Sequence, residues 1–260
     1  MTHLELGTEK LVAEVEGAIG WITFDHPERH NALSNDMQRA LPRAFDAFQR
    51  DEDVRVVVMR GAGDKAFISG ADISEFDEAL PGAGMSRSRD EELVPLEKPL
   101  VAMIQGYCIG GGVAVSLGAD IRIAADDAQF AIPAARLGVG YPFFGVKALV
   151  DLVGPAHASE ILFSARRYSA EEALGFGLVN RVVAKAELEA AVRALVGQIA
   201  ANAPLTVRAS KFAIAQALRD PAARDLDGAN ARVEACFESE DYREGVAAFL
   251  EKRTPRFRGR

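Results

Sequence analysis

Three glycine-bearing segments stand where short apolar runs stop, and backbone amides at such places can do chemistry. Gly61-Ala62-Gly63 follows the run Val54 to Met59, and Ser69-Gly70-Ala71-Asp72-Ile73 follows Phe67. Gly106-Tyr107-Cys108-Ile109-Gly110-Gly111-Gly112 follows Val101 to Ile104 and precedes a helical stretch, Val113 to Leu117. Three glycines before a helix leave its first N–H groups uncovered at the positive end of the helix dipole. An anion or a developing oxyanion suits that place. A tight, closely packed strand-to-helix turn would use the same glycines, so the motif alone leaves both readings open. It is not G-x-G-x-x-G with an acidic partner about 20 residues on, so no dinucleotide site is expected. The four histidines form no metal-ligand spacing, and no metal is expected.

The elements that must position these segments alternate in type. Leu11 to Val15 alternates apolar and polar residues, Gly17 to Gly20 turns, and Gly20 to Phe24 returns as a second strand, a hairpin pattern. Ser34 is placed to cap a helix whose Met37, Leu41, Ala44, Phe45 and Phe48 share a face. Val54 to Met59 and Pro99 to Ile104 read as buried strands. This spacing implies an α/β arrangement with parallel strands. Beyond about residue 142 the pattern turns helical, over Ala186 to Ile199, Thr206 to Leu218 and Asp241 to Lys252. The expected organisation is an α/β core over residues 1–200 and a helical C-terminal region over 201–260.

Bulk properties exclude several classes. With 49% hydrophobic and 26% charged residues, the chain is ordinary globular material. A net charge of −8 disfavours DNA or RNA, whose phosphates need clustered Lys and Arg. A basic patch does exist in the last nine residues, at Lys252, Arg253, Arg256, Arg258 and Arg260. It reads either as a solvated, frayed tail or as an anion-facing surface. Cys108 and Cys236 are isolated, which fits a reducing compartment. MTHLELGTEK lacks the apolar core of a signal peptide, and no apolar run reaches the roughly 18 residues of a membrane span. A cytoplasmic location is expected.

The ordered set of segments resembles the crotonase, or enoyl-CoA hydratase/isomerase, superfamily. The matching pieces are Pro27 to Leu33, Ala66 to Ile73, Lys98 to Gly112, Ala119 to Ala124, Gln129-Phe130, Leu174 to Val179 and Phe249 to Arg253. The resemblance implies a spiral of stacked ββα units with C-terminal helices that complete the CoA site and drive trimerisation, giving a homotrimer or a dimer of trimers. It implies an acyl-CoA substrate, with coenzyme A entering as part of that substrate and no separate cofactor. It also implies that the backbone N–H groups of Ala71 and Gly111 form an oxyanion hole for a thioester enolate. Coenzyme A is expected near Arg29, His30, Ser69, Gly70, Asp72 and Ile73, with Lys252 reaching in from its own or a neighbouring subunit.

The acids depart from the hydratase pattern. One glutamate of that pattern falls at Ala114 and the other at Ala134. Hydration needs a base for water and an acid for the α-carbon, each worth about 10² to 10⁴ in rate. The expected chemistry is therefore decarboxylation or double-bond isomerisation. A hydratase using replacement acids and a non-catalytic acyl-CoA-binding protein are the alternatives. The segment Leu137 to Pro142 and the end Glu240 to Gly245 resemble the methylmalonyl-CoA decarboxylase branch, which implies that Tyr141 positions a substrate carboxylate. Where that branch has histidine, this chain has Ala71. Glu75, Glu91 and Glu92 are the nearest other acids along the chain, Arg87 and Arg89 lie in an expected loop, and Asp72 and Asp120 read as turn-holding acids.

Overall fold

The computed structural model of the chain describes residues 2–72, 75 and 96–260. Ile73, Arg87, Arg89, Glu91 and Glu92 lie outside the described residues.

The expected hairpin forms from β2 (Leu11–Glu16) and β3 (Ile19–Phe24), antiparallel from Leu11↔Phe24 to Glu16↔Ile19. A strand not expected from the polar N-terminus, β1 (Thr2–Leu4), pairs with the outer edge of β2. Along the chain follow β4 (Val56–Gly61), β5 (Ala66–Ile68), β6 (Leu100–Ile104), β7 (Tyr107–Ile109), β8 (Ile121–Ala125), β9 (Gln129–Ala131), β10 (Tyr168–Ser169) and β11 (Arg181–Val183). These strands build two sheets, β1-β2-β3-β4-β6-β8-β11 and β10-β9-β7-β5. Successive pairs β4/β5, β6/β7 and β8/β9 give one strand to each sheet, and within each sheet these strands run parallel to one another. The chain therefore advances as a spiral, as the resemblance implies.

The apolar run at β4 is buried on both sides. Val57 and Met59 face the main core with Phe24, Phe48, Phe67 and Phe130. Val56 and Val58 face a second cluster with Trp21, Val101 and Ile123, closed by Leu188, Val192 and Val196 of a helix, α6 (Leu188–Ala201). Burial on both faces is why the run shows no alternation.

The first helix, α1 (Asn35–Arg50), begins where expected. The Ser34 hydroxyl accepts from the Met37 amide at 3.3 Å, and Met37, Ala40, Ala44 and Phe48 are buried. Interleaved with the strands are α2 (Gly111–Leu117) after β7, α3 (Ala134–Leu137) and α4 (Phe143–Ser164) after β9, and α5 (Ala170–Gly175) after β10. Gly154, at φ 75°, followed by Pro155, bends α4. The last three helices are α7 (Pro204–Ala217), α8 (Leu226–Glu238) and α9 (Glu240–Glu251). The terminal residues are not frayed. The buried Asp241 carboxylate accepts from the amides of Arg258 (2.6 Å) and Gly259 (2.7 Å), and Arg55 donates to the Phe257 carbonyl. Among the described residues no helix is long and apolar enough to cross a membrane.

Candidate active site

Two loops meet at the glycine-rich turn between β7 and α2. Leu33 holds the first from outside: its amide donates to the Gly70 carbonyl at 2.7 Å, and its carbonyl accepts from the Asp72 amide at 3.0 Å. That pairing turns the Ala71 N–H away from Leu33. On the other side, the Gly110 amide donates to the Ala131 carbonyl at 2.8 Å, which ties the start of α2 to β9. A Cβ built on Gly111 would lie 3.5 Å from the Ala71 nitrogen and 3.7 Å from Leu33 Cδ2. One built on Gly110 would lie 3.8 Å from Pro133 Cδ and 4.0 Å from Gly70 Cα. Gly70, Ala71, Gly110, Gly111 and Pro133 thus converge, although they are separated by up to about sixty residues of sequence.

Among the described residues neither the Ala71 N–H nor the Gly111 N–H has a hydrogen-bond acceptor. Gly111 is the first residue of α2, so its amide belongs to the uncovered set at the helix start. Gly112 explains why the turn holds this shape. A Cβ there would fall 2.2 Å from the Ile68 carbonyl oxygen, so only glycine allows α2 to press against β5. Gly70 takes φ 127°, a backbone conformation that also favours glycine.

The positions read as vacant acids border this point. Ala114 lies exposed on α2 and Ala134 opens α3 directly after Pro133. Neither methyl can transfer a proton. Glu75, the replacement acid that falls within the described residues, is occupied elsewhere. Its Oε2 accepts from the Asn35 amide at 2.6 Å, an anchor at the positive end of α1. Asp120 accepts from the Leu100 amide (2.7 Å) and Lys211 Nζ (2.8 Å), and so joins strand to helix.

Tyr141 follows α3 and packs its ring on Gly145 and the main core. Its hydroxyl is buried without a hydrogen-bond partner among the described residues. Burial, and then the nearby Cys108, push the phenol up to about 12. The Cys108 thiol, wholly buried on β7, is itself pushed up to about 12 by burial, with a hydrogen bond from Ser116 opposing the shift. At neutral pH both groups keep their protons. Cys108 beside Tyr141 is not among the residues the sequence singles out; its place at the centre of the strand before the triple glycine is the signal available there.

The residues expected to meet coenzyme A are partly brought together. Arg29 pairs with Asp72 at 3.2 Å, and the Asp72 side chain is only 7% exposed. The Ser69 amide donates to the His30 carbonyl (3.1 Å), and the Ser69 hydroxyl to the Arg29 carbonyl (3.2 Å). His30 and Asn31 both take left-handed conformations, φ 51° and 56°, which are costly for residues other than glycine. Buried Asn31 holds them there: its Nδ2 donates to the Ala62 and Ala66 carbonyls, each at 2.9 Å, and its Oδ1 accepts from the His26 amide. Lys252 stands apart, as the exposed left-handed cap of α9, with no hydrogen bond or ion pair to this cluster among the described residues.

The sequence model of the enoyl-CoA hydratase/isomerase family matches residues 14–260. The chain belongs to that family. As a member of the enoyl-CoA hydratase/isomerase family it is an acyl-CoA enzyme of the crotonase superfamily. It is 34% identical over 248 residues to a short-chain-enoyl-CoA hydratase of Clostridium acetobutylicum, covering 94% of this chain and 95% of that one. It is 37% identical over 266 residues to a carnitinyl-CoA dehydratase of Salmonella arizonae, covering 97% and 99%. Among solved structures it resembles an enoyl-CoA hydratase subunit from Geobacillus kaustophilus, with TM-score 0.87, 37% identity, and 96% and 98% of the two chains covered. The spiral of this family member is therefore the crotonase fold.

Proposed function

We propose that the chain binds an acyl-CoA thioester with its carbonyl oxygen between the Ala71 and Gly111 amides and stabilises the enolate formed there. The supporting observation is the pair of uncovered N–H groups at the meeting point of two loops. Fixed donors aimed at a developing oxyanion are a large catalytic term, with one such donor worth about 2.7–4 kcal/mol in other enzymes. Arg29, His30, Ser69, Gly70 and Asp72, and Ile73, which lies outside the described residues, are assigned to the coenzyme A moiety. Lys252 joins them from the end of α9 of this or a neighbouring copy.

The chemistry we assign is loss of carbon dioxide from a carboxylated acyl-CoA. Breaking the bond between the α-carbon and the carboxyl group leaves its electron pair in the enolate, so no base is needed to start. The α-carbon of the enolate then takes its proton from solvent water as carbon dioxide leaves, so the alanines at 114 and 134 are no handicap to the bond-breaking step. Double-bond isomerisation also runs through the enolate but needs a group to carry the proton, and neither alanine supplies one. The names of the relatives, hydratase and dehydratase, favour a second reading, hydration through acids placed elsewhere.

A direct comparison separates the two. Purified protein should convert a malonyl-type CoA ester faster than it hydrates crotonyl-CoA. Hydration should run at least about a hundredfold slower than in a relative with both glutamates. Hydration at the relative's rate, with no release of carbon dioxide from any carboxylated ester, would establish the second reading instead.

A further inference from the structure

The C-terminal tail folds back along α9 and borders an open pocket of about 880 Å³. Four arginines line it, Arg243, Arg253, Arg256 and Arg258. Three carboxylates line it too, and each is engaged. Glu244 grips Arg253 through both oxygens, at 2.6 and 2.8 Å, and accepts from the Arg256 amide at 2.7 Å. Asp241 is buried and holds the tail amides, and Glu240 pairs with Arg260 at 3.2 Å. The Arg253 pair holds the Glu244 carboxyl down to about 2, so that engagement persists through neutral pH. Arg243, Arg256 and Arg258 make no ion pair among the described residues, although all three are exposed on a chain of net charge −8; the Arg256 charge helps hold the Glu244 carboxyl down.

We infer that this pocket is a binding site for a compact phosphoanion, held by Arg243, Arg256 and Arg258. Guanidinium forks match phosphate oxygens in pairs. The backbone that carries two of the three is already fixed by Asp241, Glu244 and Arg55, so little ordering remains to be done on binding. An extended nucleic acid strand would need a continuous basic stripe, and Glu240 and Glu244 interrupt one. The phosphates could be those of coenzyme A or of a free phosphoanion.

Sodium diphosphate is the probe, titrated calorimetrically into the intact protein at low salt against a chloride control. One saturable site per chain is expected. The double substitution Arg256→Ala/Arg258→Ala should weaken it at least about tenfold, with Arg243→Glu, on the exposed face of α9, doing the same independently. The melting temperature of each variant reports folding. Crotonyl-CoA binding in the same variants identifies the source. An unchanged dissociation constant assigns the site to a free phosphoanion, whereas parallel weakening with mutual competition assigns it to the phosphates of coenzyme A. Non-saturable diphosphate binding, equal binding by the folded variants, or preference for a single-stranded oligonucleotide would overturn the inference. None of those results bears on the Ala71–Gly111 site, which the turnover assay tests alone.

Discussion

Tyr141 combines two properties that normally oppose each other. Its ring fills a packed position, yet its hydroxyl is sealed away with nothing to bond among the described residues. An unsatisfied buried polar group costs about 1–3 kcal/mol. Tyr141→Phe keeps the ring and removes the cost, so the variant should be more stable than the wild type by about 1 kcal/mol, measured by urea unfolding. If the hydroxyl swings to a substrate carboxylate during turnover, the same variant should lose activity on a malonyl-type ester. A hydrogen bond to a charged partner is worth about 1.5–3 kcal/mol, roughly ten- to a hundredfold in rate. Greater stability with unchanged turnover would make Tyr141 a wall of the site and leave the carboxylate to other groups.

At the scale of elements, the ends of helices carry the titration. Lys98 is buried at the C-terminus of α1, where its ammonium donates to the carbonyls of Phe48 and Asp51. Burial, then the nearby Arg208, push it down to about 8, against the pull of Asp51 and Glu52. Between pH 8 and about 10.4, the unfolded lysine keeps its proton while the folded one has released it. The unfolded state then binds more protons, so stability rises with pH across that window. Relative to Lys98→Met, the wild type should gain about 3 kcal/mol from pH 8 to 10.5, at 1.36 kcal/mol per unit. Urea unfolding of both proteins at the two pH values measures this, and a constant difference refutes it. The tail of α9 makes a second case. Asp241→Ala removes two charge-assisted bonds to amides that can then reach water, for an expected loss of about 2 kcal/mol and faster proteolysis after Lys252. A variant as stable and as resistant as the wild type would show that the clasp contributes nothing.

Elements with a strong local signal are legible in the amino-acid sequence. Ser34 is a cap by residue type, and the run at β4 is long enough to read as a buried strand. β5, β7, β9 and β10 have two or three residues each, too few for any periodicity to show. α8 buries none of its residues, so it has no apolar stripe to detect. At the site, the glycine turn is visible in the sequence, but the meeting of Ala71 with Gly111 comes from the family resemblance. The grip of Glu75 on α1 spans 40 residues and leaves no trace in local sequence.

The molecule as a whole presents an unusually apolar C-terminal surface. Phe249 and Leu250 are 83% and 74% exposed. A groove of about 680 Å³ runs between α7, α8 and α9, lined by Phe237, Tyr242, Val246 and Phe249 among others. Patches of this kind mark interfaces. We expect the protein to run as a trimer or a pair of trimers in light scattering after size exclusion. Phe249→Asp/Leu250→Asp should shift the mass downward without unfolding the chain. A monodisperse wild-type monomer would contradict this.

The glycine at 112 and the alanines at 114 and 134 have different histories open to them. A side chain at 112 would strike the Ile68 carbonyl and push apart the two loops that make the site, so that position is closed to change. Ala114 is exposed on α2, and Ala134, partly buried, is the first residue of α3. A lineage can therefore gain or lose the acids by single substitutions while the frame that holds a thioester stays intact. In such an ancestry the reaction is the trait that drifts and the oxyanion frame is the one inherited, so kinship at a third of all positions says more about what is held than about what is done to it.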